Sequence, residues 1–239
     1  MSAAGALMFA RYAYPPNKLG YCGPAGAGQL LSASAEEIAR RARGFEGAWV
    51  YLEFLARAAG VADPLDEAVV EAYWVGNSLV DLPSSAALTD LLRQRFAGQT
   101  GGTWASAGGH ALAHHSFHVF EVYPWASLLR RTGSPAAVSV LDRCRIRSGV
   151  VVAVHGETAT VSARPLLWED CRLGHGEARL ETVAWSVEGR SLLAGLTPGD
   201  RVALHWDWVC DVLTEEQADR IATHEERQLR LLAAFAEGS

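Results

Sequence analysis

Near Leu141 the chain changes period, and that change limits the folds open to it. Before it, apolar residues recur at helical spacing between capping signals; after it, short β-branched runs alternate with tight turns. Ser34-Ala35-Glu36-Glu37 is a capping box, which predicts a helix through Arg43 that Gly44 stops. Phe45, Trp49, Leu52, Leu55 and Ala56 give a helix over 46–59 one apolar face, and Gly60 ends it. Asp63-Pro64 supplies an N-cap and a first-turn proline for a helix carrying Val69, Val70, Tyr73 and Trp74 up to Gly76-Asn77. Ser84 or Ser85 caps another over 86–96. The aromatic and proline-rich residues 1–24 read as an ordered loop, with the first helix over 23–31.

Residues 98–110 are rich in glycine, serine and threonine and predict an exposed loop. The Val/Phe/Tyr content of 117–123 predicts a strand, and 127–131 a short helical turn before Gly133-Ser134-Pro135. Beyond Leu141, strands are expected over 144–154, 158–163, 179–185 and 201–208, with a tight turn at Thr197-Pro198-Gly199-Asp200. That spacing suits a small β-barrel. A last helix over 214–234 opens at Thr214. The expected fold class is therefore α+β, with a mainly helical domain over 1–140 and a barrel with a C-terminal helix over 141–239.

A formal net charge of −6 and the lack of any basic run argue against nucleic acid as a partner. No run of about 18 apolar residues suggests a membrane span. The cysteines at 22, 144, 171 and 210 are far apart, and a chain of 239 residues buries enough surface to need no disulfide framework. Free thiols and a cytoplasmic location are the expectation. Gly26 and Gly28 lack the lysine and the preceding strand of a phosphate loop, so no nucleotide is expected.

The chemistry concentrates at Leu19-Gly20-Tyr21-Cys22-Gly23-Pro24. Here a cysteine stands where a glycine-rich turn is predicted to become a helix. A helix N-terminus lowers a thiol pKa and presents amides to an oxyanion. Cys22 is thus a candidate nucleophile for acyl transfer, set against a structural cysteine in a tight turn. His118 is the candidate base, with His115 second. Glu71 and Asp142 are equal candidates to orient the histidine, with Asn77 weaker; Glu121 would point away along a strand. Tyr21, Gly23, His115, Trp125 and Asp207 are the expected substrate contacts. His114 and His118 are four apart and would pair as metal ligands on a helix, but the predicted strand argues against this. No metal and no cofactor are expected.

Three resemblances bear on this reading. Cys144-Arg145-Ile146-Arg147-Ser148-Gly149-Val150-Val151-Val152, with the later Gly199-Asp200-Arg201-Val202-Ala203-Leu204-His205, resembles the HypC/HupF hydrogenase-maturation chaperones over about 143–222. It implies their small barrel, and as an alternative function a non-enzymatic chaperone or interaction module. In that family the working cysteine is at the mature N-terminus, whereas Cys144 is internal. His118-Val119-Phe120-Glu121-Val122-Tyr123, then Trp125, is similar to the histidine strand of transglutaminase-like and papain-like cysteine enzymes, in which a cysteine at a helix start precedes it.

Finally, Arg11-Tyr12-Ala13-Tyr14-Pro15-Pro16-Asn17, Gly20-Tyr21-Cys22-Gly23-Pro24 and His205-Trp206-Asp207-Trp208-Val209-Cys210-Asp211 resemble an actinobacterial family. The amide-forming condensation proteins of lincosamide antibiotic biosynthesis fall in its neighbourhood. That resemblance implies amide formation from a carrier-protein thioester, with a small amine such as an amino sugar as acceptor.

Overall fold

The structure is a computed structural model and describes residues 2–98, 101–104, 107 and 109–237. Residues 99, 100, 105, 106 and 108 of the expected loop lie outside the described residues. Its first element corrects the expected N-terminal loop. Helix α1 spans Ala3–Lys18, capped by the Ser2 hydroxyl, which accepts from the Gly5 N–H. Phe9, Tyr12 and Ala13 are fully buried on it, so the aromatic content reflects a buried helix face. Pro15 and Pro16 sit in its last turn, where they break two helical hydrogen bonds but no longer stop the helix. Gly5 is required by close approach: a Cβ there would fall 2.0 Å from the Leu65 carbonyl oxygen.

Helices α2 (Ala35–Ala42) and α3 (Glu46–Ala59) follow, with the Ser34 cap and the left-handed Gly60 stop as their sequences dictate. Helix α4 runs over Glu67–Trp74 from an Asp66 cap. The expected Asp63 cap instead accepts from the Leu65 and Ser2 N–H groups, tying α1 to the start of α4. Helix α5 (Ser85–Arg95) is capped by Ser84.

The strand expected over 117–123 is helical. A turn, α6 (His115–Phe117), runs straight into a π-helical turn over His118–Val122, closed by the Tyr123 N–H on the His118 carbonyl at 3.0 Å. Every residue from His115 to Val122 is buried. Its β-branched and aromatic content therefore reflects burial on all sides, which a short apolar run shares with a strand. Helix α7 covers Trp125–Thr132 and ends on left-handed Gly133. Helix α8, Pro135–Cys144, takes Pro135 in its first turn. Cys144 thus closes a helix where a strand was expected to begin.

Five strands close a barrel in the order β1-β2-β5-β7-β6. They are β1 (Arg147–His155), β2 (Thr158–Ala163), β5 (Arg179–Ala184), β6 (Arg201–His205) and β7 (Trp208–Val212). All pairings are antiparallel except β5 with β7. Val151, Ala159, Val161, Val183, Val202, Leu204 and Val209 fill the interior. Strands β3 (Leu166–Glu169) and β4 (Arg172–His175) form a separate hairpin. The single strand expected over 201–208 is a hairpin, because Trp206 adopts φ 55° and turns the chain between His205 and Trp208. His205 and Asp207 therefore do not share a strand face.

Helix α9 (Glu215–Glu237) opens on a reciprocal Thr214–Gln217 cap and packs against α6, β1, β4 and β6. Ile146, Ala203, Trp208, Cys210 and Ile221 pack in the same apolar cluster as α1 and α3–α5. The two halves of the sequence thus share one core. Where they meet, buried Arg145 bridges Asp142 (2.9 Å), the Arg164 carbonyl (2.6 Å) and Glu225.

Candidate functional site

A cavity of about 290 Å³ lies at this junction. The bend after α1 supplies Tyr21 and Cys22, α3 Gly47, and α4 Tyr73 and Trp74. The α6–π segment supplies His115 and His118, α8 Cys144, and the β6–β7 turn His205 and Trp206. Among the described residues that line it there is no carboxylate, ammonium or guanidinium side chain.

Cys22 does not start a helix. Residues 21–25 form bends, and the next helical turn, a short 3₁₀ segment, begins at Ala27. Asn17 pins the bend by donating Nδ2–H to the carbonyls of Cys22 (2.7 Å) and Pro24 (2.8 Å). Gly23 adopts φ 79°, and a Cβ there would fall 2.3 Å from the Phe45 ring. Burial pushes the Cys22 thiol up to about 12. The expected lowering of its pKa is thereby overturned: the helix terminus that was to supply it is absent, and desolvation favours the uncharged thiol.

His118 faces the same cavity. Its Nδ1 lies 3.1 Å from the Tyr51 hydroxyl, and its buried Nε2 has no hydrogen-bond partner among the described residues. Gly47 leaves room for that nitrogen, since a Cβ at 47 would stand 3.0 Å from it. Burial, and next the neighbouring His115, push His118 down to about 3. The wall thus holds a neutral thiol and a neutral imidazole.

Neither expected carboxylate orients His118. Glu71 accepts from Asn77 Nδ2 (2.9 Å) and Gln217 Nε2 (2.8 Å), which joins α4 to α9. Asp142 accepts from Arg145 and from the Leu166 N–H (2.8 Å), which joins α8 to β3. The group beside His118 is Tyr51, one turn along α3 from Gly47. Tyr51 shares the buried face of α3 with Ala48, Leu52 and Leu55, so by its spacing it reads as core. Glu121 is buried and lies 2.9 Å from His110 Nε2.

Of the expected substrate contacts, Tyr21, His115 and Trp125 line the cavity. Tyr21 stacks on Trp206 at 4.3 Å as a half-exposed lip. Gly23 shapes the bend from behind. Asp207 is exposed and bridges Arg143 at 2.9 Å, so it is no pocket residue. His114 does not pair with His118 despite the helical spacing: its Nδ1 accepts from the Ser116 N–H, and its ring stacks on His224 at 4.2 Å.

At the back of the cavity stand His115, the second candidate base, and with it Cys144 and His205. His115 donates Nε2–H to the Cys144 carbonyl at 2.8 Å, and its Nδ1 is 3.4 Å from the Tyr73 hydroxyl. His205 donates Nδ1–H to the Tyr12 carbonyl at 2.8 Å; its Nε2 is buried without a hydrogen-bond partner among the described residues. One ring nitrogen of each histidine and the Cys144 sulfur lie within 4.8 Å of one another. Cys144 and His205 are remote in sequence and are brought together by the pairing of β1 with β6.

Fold and site define a class: an α+β protein in which a helical layer and a small closed barrel share a neutral, cysteine- and histidine-lined cavity. Over residues 1–238 the chain matches the model of a family of unknown function, DUF6390, and it belongs to that family. No curated protein and no solved structure matches it. No helix among the described residues is long and apolar enough to cross a membrane.

Proposed function

We propose that the cavity carries out cysteine-dependent acyl transfer, forming an amide between a carrier-protein-borne acyl group, such as an aminoacyl thioester, and a small amine such as an amino sugar. One observation carries this reading. The Cys22 thiol and the free Nε2 edge of His118 face a single uncharged cavity, with His118 braced by Tyr51.

In the tautomer that donates Nδ1–H to Tyr51, Nε2 keeps its lone pair and acts as base. The Cys22 sulfur attacks the thioester carbonyl while its proton passes to Nε2, so no free thiolate is needed in an apolar wall. Collapse of the tetrahedral adduct breaks the bond to the carrier thiol, which leaves with that proton. The amine then attacks the acyl–Cys22 bond, gives a proton to Nε2, and the restored thiol takes it back. For an aminoacyl donor, Trp125 is the wall group suited to an ammonium.

The test is intact mass after incubation with an aminoacyl thioester. An adduct mapping to Cys22 and absent from Cys22→Ala is the expected result.

A second reading, a non-enzymatic chaperone or interaction module, is favoured by the outer barrel face. There exposed Val150 and Leu180 flank Ser162 in register across β1, β2 and β5. A partner that still binds Cys22→Ala but not Leu180→Glu would support it.

A further inference from the structure

We propose that His115, Cys144 and His205 form a three-ligand site for a divalent transition-metal ion of the zinc class, open to the cavity at its fourth position. This inference is independent of the acyl-transfer reading.

Three features support it. The first is proximity. Three ligand atoms of types that zinc prefers lie within 4.8 Å of one another, on residues that are all buried. A tetrahedral ion with N and S ligands at about 2.0 and 2.3 Å needs them about 3.3–3.6 Å apart, so side-chain shifts on the order of 1 Å complete the site.

The second is orientation. A metal-bound histidine uses one ring nitrogen and donates from the other to an outer partner. Both histidines already do the donating half. His115 Nε2–H holds the Cys144 carbonyl and His205 Nδ1–H holds the Tyr12 carbonyl, which leaves lone pairs on His115 Nδ1 and His205 Nε2. The Tyr12 carbonyl is free to accept because Pro16, four residues on, has no N–H.

The third is the orphaned nitrogen. His205 Nε2 is buried and has no hydrogen-bond partner among the described residues. A buried acceptor without a donor is costly unless a cation stands beside it.

The Cys144 thiol binds as thiolate, so its proton goes to solvent as the ion enters. All three residues line the cavity, so the fourth coordination position faces it, as in zinc sites that keep a place for water or substrate.

The experiment titrates full-length protein, freed of metal under reducing conditions, with Co²⁺ against a chromophoric chelator, then repeats the titration with Zn²⁺. The proposal expects one Co²⁺ per chain with a thiolate-to-cobalt charge-transfer band, displaced by Zn²⁺. Cys144→Ser should abolish the band. His205→Ala and His115→Ala should each weaken binding by at least the roughly 10–100-fold that losing an outer-shell partner costs. His155→Ala, at an exposed histidine, and Cys22→Ala should keep the band. Wild-type protein that takes up no Co²⁺, or binds it without the thiolate band, overturns the proposal whether or not the variants fold. A band lost in Cys22→Ala and kept in Cys144→Ser also overturns it. Loss of the acyl adduct with the cobalt band intact would count against the acyl-transfer reading alone.

Discussion

His205 donates its Nδ1–H to the main-chain carbonyl of Tyr12 at 2.8 Å, linking barrel to helix across 193 residues of sequence. In an unbroken α-helix that carbonyl would take the N–H of residue 16, and residue 16 is proline. Pro16→Ala supplies a competing donor. The expected outcome is a mixed tautomer state for His205, seen as a shift of its ring-nitrogen NMR resonances. Unchanged resonances would show that the proline does not reserve the carbonyl.

Gly47 separates stability from chemistry. Gly47 stands in the first turn of α3, and an added Cβ would crowd chiefly the edge of the His118 ring, so Gly47→Ala should melt close to the wild-type temperature. The added Cβ stands 3.0 Å from His118 Nε2 and closes off the base, so acylation of Cys22 should fall by about tenfold or more. Paired melting curves and adduct rates check both halves.

Tyr51, rather than a carboxylate, braces the base. Tyr51→Phe should slow Cys22 acylation by roughly tenfold or more, since a positioned base contributes about 10²–10⁴-fold. Glu71→Gln should leave the rate unchanged and lower only stability, because Glu71 holds Asn77 and Gln217. Single-turnover acylation against chemical denaturation separates the two effects.

The uncharged wall fixes the pH behaviour of the resting thiol. With Cys22 pushed up to about 12, its alkylation without substrate should be slow and climb steadily from pH 6 to 9 with no plateau. A plateau near neutrality, measured as iodoacetamide rate against pH, would mark a lowered thiol pKa and contradict the neutral pair.

Acid should unfold the protein early. Burial holds His115 and His224 down at about 4 and His118 at about 3, and lowers His114 and His205 as well. The unfolded chain binds these protons below about pH 6.5 and the folded chain does not, so stability falls as pH drops from 6.5 towards 4. Each such histidine contributes about 1.4 kcal/mol per pH unit in that window. Denaturant midpoints at pH 7, 5.5 and 4.5 measure the loss; a bound ion on His115 and His205 would steepen it.

Local signals made much of the fold legible. Ser34, Gly60, Ser84 and Thr214 mark helix ends because capping is decided by neighbouring residues. Alternation did the same for β2, where every second residue is buried. Tertiary context overrode local signals elsewhere. Pro15-Pro16 reads as a loop, yet α1 tolerates it because the barrel takes the Tyr12 carbonyl. His118–Val122 reads as a strand because all its faces are buried. Cys22, His118, Tyr21, His115 and Trp125, which the sequence groups by residue type and chain order, line one cavity, whereas Glu71 and Asp142 hold structural ion pairs and hydrogen bonds that a sequence does not distinguish from an orienting role. The grouping of Cys144 with His115 and His205 depends on the pairing of β1 with β6, which no local pattern encodes.

The central claim is that Cys22 becomes acylated with His118 as its base. Intact mass and peptide mapping after mixing with an aminoacyl thioester test it most directly, beside Cys22→Ala and His118→Ala. The account predicts one acyl group on Cys22, absent in the first variant and strongly slowed in the second. An unmodified Cys22 across a range of acyl groups, or an adduct that forms as fast without His118, would contradict it.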